Sequence, residues 1–167
     1  MKENGSAITE YSWDGTTGQL NWVKNQFNET TSYDYDPTLG HLVKKTMHDG
    51  QYEEYSYDSR YRLWLSQVVD SGTSVLHETE YVFNAASEVE STYIDSDQTD
   101  YVYDDASQLE QESRSGYTCD YTYDDNGNRL SKAISGGITE TYNYDPEERL
   151  TSVTWNGGSN YKNFTYD

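Results

Sequence analysis

The chain of 167 residues has the length of one domain or of one stretch of a longer repetitive protein. A net charge of −19 repels phosphate, which excludes DNA, RNA and anionic lipid as partners, and no run of about 18 apolar residues exists to span a membrane. Leu, Ile, Val and Phe total only 25 residues, too few to offset the entropy of ordering a chain, but Trp, Tyr and Phe also total 25, and such rings form a core if regularly spaced.

Residues 1–10 are a lead-in with neither the apolar core nor the cleavage site of a signal peptide, and the chain reads as soluble. From Tyr11 to Asp167 the pattern aromatic, any residue, aromatic, Asp or Asn then occurs eight times. The copies are Tyr11-Ser12-Trp13-Asp14, Tyr33-Asp34-Tyr35-Asp36, Tyr55-Ser56-Tyr57-Asp58 and Tyr81-Val82-Phe83-Asn84. They continue as Tyr101-Val102-Tyr103-Asp104, Tyr121-Thr122-Tyr123-Asp124, Tyr142-Asn143-Tyr144-Asp145 and a last, truncated Phe164-Thr165-Tyr166-Asp167. The starts are 22, 22, 26, 20, 20, 21 and 22 residues apart, the long period holding an insertion around Ser71 to Leu76. A second anchor, five or six residues after the acid or amide, follows the first seven copies: Leu20, Leu42, Leu63, Val89, Leu109, Leu130 and Leu150.

Rings two residues apart share one face of a strand, whereas on a helix they would stand about 200° apart. Turn formers follow each pair, as in Pro37 and Gly40 or Asn126-Gly127-Asn128, and others precede the next pair, as in Asp49-Gly50 and Ser115-Gly116. Each period therefore holds two strands and two turns, and the Asp accepts backbone N–H groups as its strand enters the turn. The fold expected is all-β: consecutive antiparallel hairpins, about 16 strands, twisted into a curved or spiral sheet whose tyrosines and leucines bury against neighbouring copies. Unrolled, the strip would be roughly 75 Å long at ~4.8 Å per strand.

The period reading Y-x-Y-D-x-x-G-x-L, clearest at Tyr121 to Leu130 and Tyr142 to Leu150, resembles the YD repeat of the Rhs family, shared by wall-associated polymorphic toxins, toxin-complex cocoon subunits and teneurins. The resemblance implies a hollow shell of hairpins that encloses a toxin fragment or supports adhesion, in a secreted or cell-surface protein. Closed once, a strip of this length has a diameter of only about 24 Å. A folded toxin of ~100 residues needs more than ~26 Å, so residues 11–167 are expected to be part of a shell wall within a longer array.

No constellation suggests an enzyme, and no cofactor or metal is implied. His41, His48 and His77 fit no zincin or hydrolase spacing, and Cys119, the sole cysteine, has no paired histidine in sequence. Asp124-Asp125-Asn126-Gly127-Asn128 lacks the spaced ligands and closing Glu of a calcium loop and reads as a turn. Trp64 and Trp155 lie outside the motif and are the candidates for stacking on a sugar ring or a protein partner. Trp64, between Leu63 and Leu65, is expected on the face opposite both leucines. The role expected is a non-catalytic scaffold whose partner is the remainder of the array, with self-association through open sheet edges; the alternative is a carbohydrate- or protein-binding module using exposed aromatics.

Overall fold

The computed structural model describes residues 9–155 and 160–166, and among them there are fifteen strands and no helix. In chain order these are β1 (Glu10–Trp13), β2 (Leu20–Lys24), β3 (Thr30–Tyr35), β4 (Leu42–Thr46), β5 (Tyr52–Tyr57), β6 (Leu63–Val69), β7 (Val75–Phe83) and β8 (Val89–Ile94). They continue as β9 (Asp97–Tyr103), β10 (Leu109–Arg114), β11 (Tyr117–Tyr123), β12 (Arg129–Ile134), β13 (Thr139–Tyr144), β14 (Leu150–Trp155) and β15 (Asn160–Asn163). The order of strands in the sheet is the order in the chain, as expected of hairpin after hairpin. Two compact units divide it: Met1–Tyr81 with Tyr93–Ser96, and Val82–Thr92 with Asp97–Asp167.

Each YD strand ends on its aromatic pair because the Asp that follows closes a turn. In the shorter turn, Asp58 N–H donates to Arg62 C=O and Asp58 Oδ1 accepts the N–H groups of Arg60 and Arg62 at 2.8 and 3.0 Å. Asp104, Asp124 and Asp145 repeat this, taking N–H groups two and four residues on. Copies one and two use a turn longer by one residue, in which Asp14 takes Thr16 and Thr17, and Asp36 takes Thr38 and Leu39. Pro37 therefore sits in a turn, as its register indicated.

Just beyond each turn the returning strand bulges. Trp13 pairs with Leu20 but Ser12 with Trp22, leaving Asn21 unmatched; Val43, Trp64, Glu110, Leu130 and Thr151 are skipped in the same way. Two sequence expectations change here. In the sixth copy the anchor is Arg129, paired with Tyr123, while Leu130 is the bulged residue and is exposed. And because the bulge lies at Trp64, Leu63 and Leu65 do not share a face: Leu63 pairs with Tyr57, whereas Leu65 pairs with the outward Ser56.

The final copy also departs from expectation. β15 ends at Asn163, before the pair Phe164 and Tyr166, which gives fifteen strands among the described residues rather than sixteen. The chain still follows the ladder, since Phe164 N–H donates to Thr151 C=O. Asp167, the closing acid of that copy, lies outside the described residues. The insertion of the long period is spent on lengthening the β6–β7 hairpin, whose strands have seven and nine residues.

The ladders between copies stop short of the bulge. Pairing of β12 with β13 begins at Ser131, and that of β4 with β5 at Lys44, so the anchor carbonyls lie past the last rung. A tyrosine hydroxyl completes the row. Tyr57 donates to Leu42 C=O at 2.9 Å, Tyr123 to Leu109 at 2.9 Å, Tyr144 to Arg129 at 3.1 Å and Tyr166 to Leu150 at 2.8 Å. In each case the donor is the second aromatic of one copy and the acceptor is the anchor of the copy before. That Tyr144 selects Arg129 and not Leu130 confirms the corrected register.

A bonded hydroxyl at this position contributes about 1 kcal/mol net. Tyr144→Phe, which keeps the ring, is expected to lower the unfolding free energy in urea by about that amount. Tyr11→Phe, at an exposed ring of the first copy, serves as the control, and equal stability of Tyr144→Phe and wild type would refute the role assigned to the hydroxyl.

Candidate interaction surface

Alternation along the strands sorts the side chains onto two faces. The face bearing the aromatic pairs also carries the anchors and the residue that pairs with each first aromatic: Val23 opposite Tyr11, Lys45 opposite Tyr33, Ser66 opposite Tyr55, Lys132 opposite Tyr121 and Val153 opposite Tyr142. The rings of a copy thus lie on one face, as the spacing required. They are not sealed: among the described hydrophobic residues only Val69, Cys119, Tyr142 and Val153 are buried, and most other motif rings are half-buried. Tyr11 and Trp13 of the first copy are 57% and 60% exposed.

Polar groups hold the ring face in place. Glu112 Oε1 accepts both Tyr117 and Tyr121 hydroxyls, at 3.0 and 3.1 Å, around the fully buried Cys119. Glu140 accepts a short bond from Tyr142 and another from Trp155 Nε1 at 3.1 Å. Glu53 takes Tyr55 in a short bond and Lys45 Nζ at 3.0 Å. The guanidinium of Arg129 lies over the Tyr142 ring, 4.4 Å from its centroid, and donates to that residue's hydroxyl at 2.9 Å. Burial and the Glu140 bond push the Tyr142 hydroxyl up to about 12. Tyr121 and Tyr55 are raised first by burial and then by their bonding partners, and Tyr117 first by its bond with the Cys119 thiol.

The opposite face mixes polar side chains with scattered apolar ones, among them Leu65 and the exposed Val102. In the second unit it carries Thr122 bonded to Ser131, Asn143 to Ser152 and Gln111 to Asp120. In the first unit, Lys44 Nζ pairs with Glu54 at 3.1 Å and covers the Tyr52 ring.

Along the edge formed by the aspartate turns, the residue before the anchor reaches toward the next copy in copies one, two and seven, whereas Arg62 and Asn128 hold the aspartate of their own turn. Gln19 Nε2 donates to Gly40 C=O at 3.1 Å, His41 stacks on Tyr57 with ring centroids 4.8 Å apart, and the Arg149 guanidinium lies 5.0 Å from the Tyr166 ring centroid. Gly127 takes φ +88°, a left-handed value that glycine adopts without strain, with the Gln108 side chain of the preceding copy beside it. The turn carboxylates Asp14, Asp36, Asp58 and Asp145 are held below their ordinary range first by the backbone N–H groups they accept, and Asp124 first by Asn128. Their acidity belongs to the turns.

Of the two tryptophans singled out in the sequence, neither offers an open ring. Trp155 shares the tyrosine face and is engaged with Glu140, and Trp64 is half-buried at its bulge. The exposed rings are elsewhere, among them Phe27 at 71% and Tyr61 at 56%. His77 Nδ1 meets Asp95 Oδ2 at 2.8 Å, and the same carboxylate's Oδ1 accepts Glu78 N–H, which ties the β8–β9 turn to β7. Among the described residues no group of three or more His, Cys, Asp or Glu side chains is arranged to hold a metal ion.

The raised tyrosines make stability depend on alkaline pH. A hydroxyl harder to ionise when folded adds stability that is complete below the ordinary tyrosine value of 10 and is lost as pH climbs through the raised values. The sheet is expected to unfold above pH 10, with tyrosinate absorbance of a late-titrating group appearing together with loss of the β signal in circular dichroism. Smooth ionisation of all 18 tyrosines near pH 10 with the sheet intact would contradict this.

No family model and no curated protein matches the chain. Solved structures do. A Tc holotoxin pore from Photorhabdus luminescens, with a mutation in its TccC3 component, superposes with a TM-score of 0.55 at 16% identity over 87% of this chain. A complex of TcdB2 with TccC3 does so with a TM-score of 0.53 at 15% identity over 91% of it. This chain spans 12% of the length of either structure's matched chain. At these identities the likeness is one of fold: this chain's consecutive antiparallel hairpins superpose on part of the matched chains of those toxin complexes.

Proposed function

We propose that the chain is a wall segment of a YD-repeat shell, a scaffold that performs no chemistry itself and works as part of a longer array. One observation carries this reading. Among the described residues every element is a strand hydrogen-bonded to its neighbours in the chain, and within each compact unit the element contacts run between consecutive strands, with no helix packed on the tyrosine face. A globular domain would bury that face. A wall leaves it lining an interior, where half-buried rings, carboxylates and hydroxyls present an unreactive, wettable surface to whatever is enclosed.

The flanking strands of the array satisfy the outer edges of β1 and β15, which each have one hydrogen-bonded neighbour among the described residues. The resemblance to toxin complexes supports a polypeptide effector as the enclosed partner and a secreted or cell-surface setting. The single turn of sheet that this length can form is too narrow for a folded cargo of ~100 residues, which is why the array has to be longer than the segment.

Limited proteolysis of the full-length protein tests this. An enclosed fragment is expected to survive protease in the intact protein and to be cleaved once residues 11–163 are deleted. Unchanged protection after that deletion, or the lack of any protected fragment in the intact protein, would refute the wall reading.

A further inference from the structure

The cations of the two compact units are used differently. In the first unit Lys24 meets Glu10, Lys44 meets Glu54, Lys45 meets Glu53 and Arg62 meets Asp58. In the second unit Arg149 meets Asp145, but Arg114, Arg129, Lys132 and Lys162 form no ion pair among the described residues.

All four lie on the ring face. In the ladders Arg114 pairs with Tyr117, Arg129 with Tyr123 and Lys132 with Tyr121, while Lys162 pairs with Val153, which itself pairs with Tyr142. Three of them also stand against a ring: the Arg114 guanidinium 4.6 Å from the Tyr117 centroid, that of Arg129 4.4 Å from Tyr142, and Lys162 Nζ 5.2 Å from Phe164. The carboxylates on this face from β10 to β15 are engaged otherwise, Glu112 by the Tyr117 and Tyr121 hydroxyls and Glu140 by Tyr142 and Trp155. Lys132 stands across the ladder from Glu140 and closes no ion pair with it.

The acids that outnumber these cations are placed elsewhere. Asp124 and Asp145 are bound into their turns, and Asp100 and Asp120 are bonded to Ser91 and Gln111 on the opposite face. Charges more than ~8 Å apart are largely screened at physiological ionic strength, so a group in contact with the ring face meets its cations before the acids of the turns. The cations are spread over five strand steps, roughly 24 Å at ~4.8 Å a step, with rings between them. Scattered point charges among aromatic rings match a polypeptide that carries carboxylates at intervals, its apolar groups lying on the tyrosines.

We propose that the ring face of β10–β15 receives an acidic segment of the enclosed polypeptide, its carboxylates on Arg114, Arg129, Lys132 and Lys162. This names the chemistry of the partner and rests on the wall reading.

Fluorescence anisotropy of a labelled peptide of alternating glutamate and serine, titrated with the chain at low salt, tests the proposal. Saturable binding is expected at millimolar concentration or below despite the net charge of −19, weakening as salt is raised. Lys132→Gln combined with Lys162→Gln is expected to weaken it about fivefold or more, and Arg114→Gln alone about twofold. Glutamine keeps most of the aliphatic stem, so these variants are expected to retain their β circular dichroism. Lys44→Gln, on the opposite face of the first unit, is expected to bind like wild type. The proposal falls if the glutamate peptide does not saturate or binds no tighter than its glutamine counterpart, or if the double variant and Arg114→Gln bind like wild type. It also falls if an oligothymidylate binds while the glutamate peptide does not. Enclosure is read separately by proteolysis, so failure here with the protected fragment intact overturns the acidic partner and leaves the wall standing.

Discussion

Strand order follows chain order and, within each compact unit, contacts run between consecutive strands, so each copy has to be fastened to the next within the sheet. The hydroxyl of the second tyrosine provides that fastening. The bulge after each turn carries the anchor carbonyl beyond the inter-copy ladder, where an unpaired backbone acceptor would cost about 1–3 kcal/mol if buried. The next copy's tyrosine supplies the missing donor at 2.8 to 3.1 Å in copies three, six, seven and eight. Ring burial and hydrogen bonding thus come from one residue type. This explains how a chain with 18 tyrosines and so few aliphatic residues forms a sheet at all.

Much of this was legible in the sequence because the signals were short-range. A two-residue spacing of rings reports a strand whatever the surroundings, and an Asp at the strand end reports its own turn. Turn length and bulging are harder to read, since they depend on where the chain enters the left-handed region. In copies one and two that residue is Gly18 or Gly40, four after the Asp; in copy six it is Gly127, three after it. Counting from Asp to that glycine would have placed Arg129, not Leu130, at the anchor. A leucine beside it was the more conspicuous and the misleading cue. Trp64 illustrates the same limit: strict alternation assigns it a face only if no residue is skipped, and it is itself the residue skipped.

The acidity has two separate origins. Turn aspartates act as acceptors for backbone N–H groups, which is conformational work. Glu53, Glu112 and Glu140 accept tyrosine hydroxyls on the ring face, so that rings too exposed for a dry core remain fixed in orientation. The turn use repeats with the period, while the glutamates reach their tyrosines from the same strand at Glu53 and Glu140 and from the neighbouring strand at Glu112.

If copies are fastened only to their neighbours, whole periods are interchangeable units and fractions of one are not. Removing Tyr101–Asp120, one period of 20 residues, joins Asp100 to Tyr121 in phase. Urea unfolding of that variant, followed by circular dichroism, should retain a cooperative β transition with a smaller slope, while removal of only its first half, residues 101–110, should abolish the transition. Loss of the sheet in the in-phase deletion, or equal tolerance of both, would contradict the account.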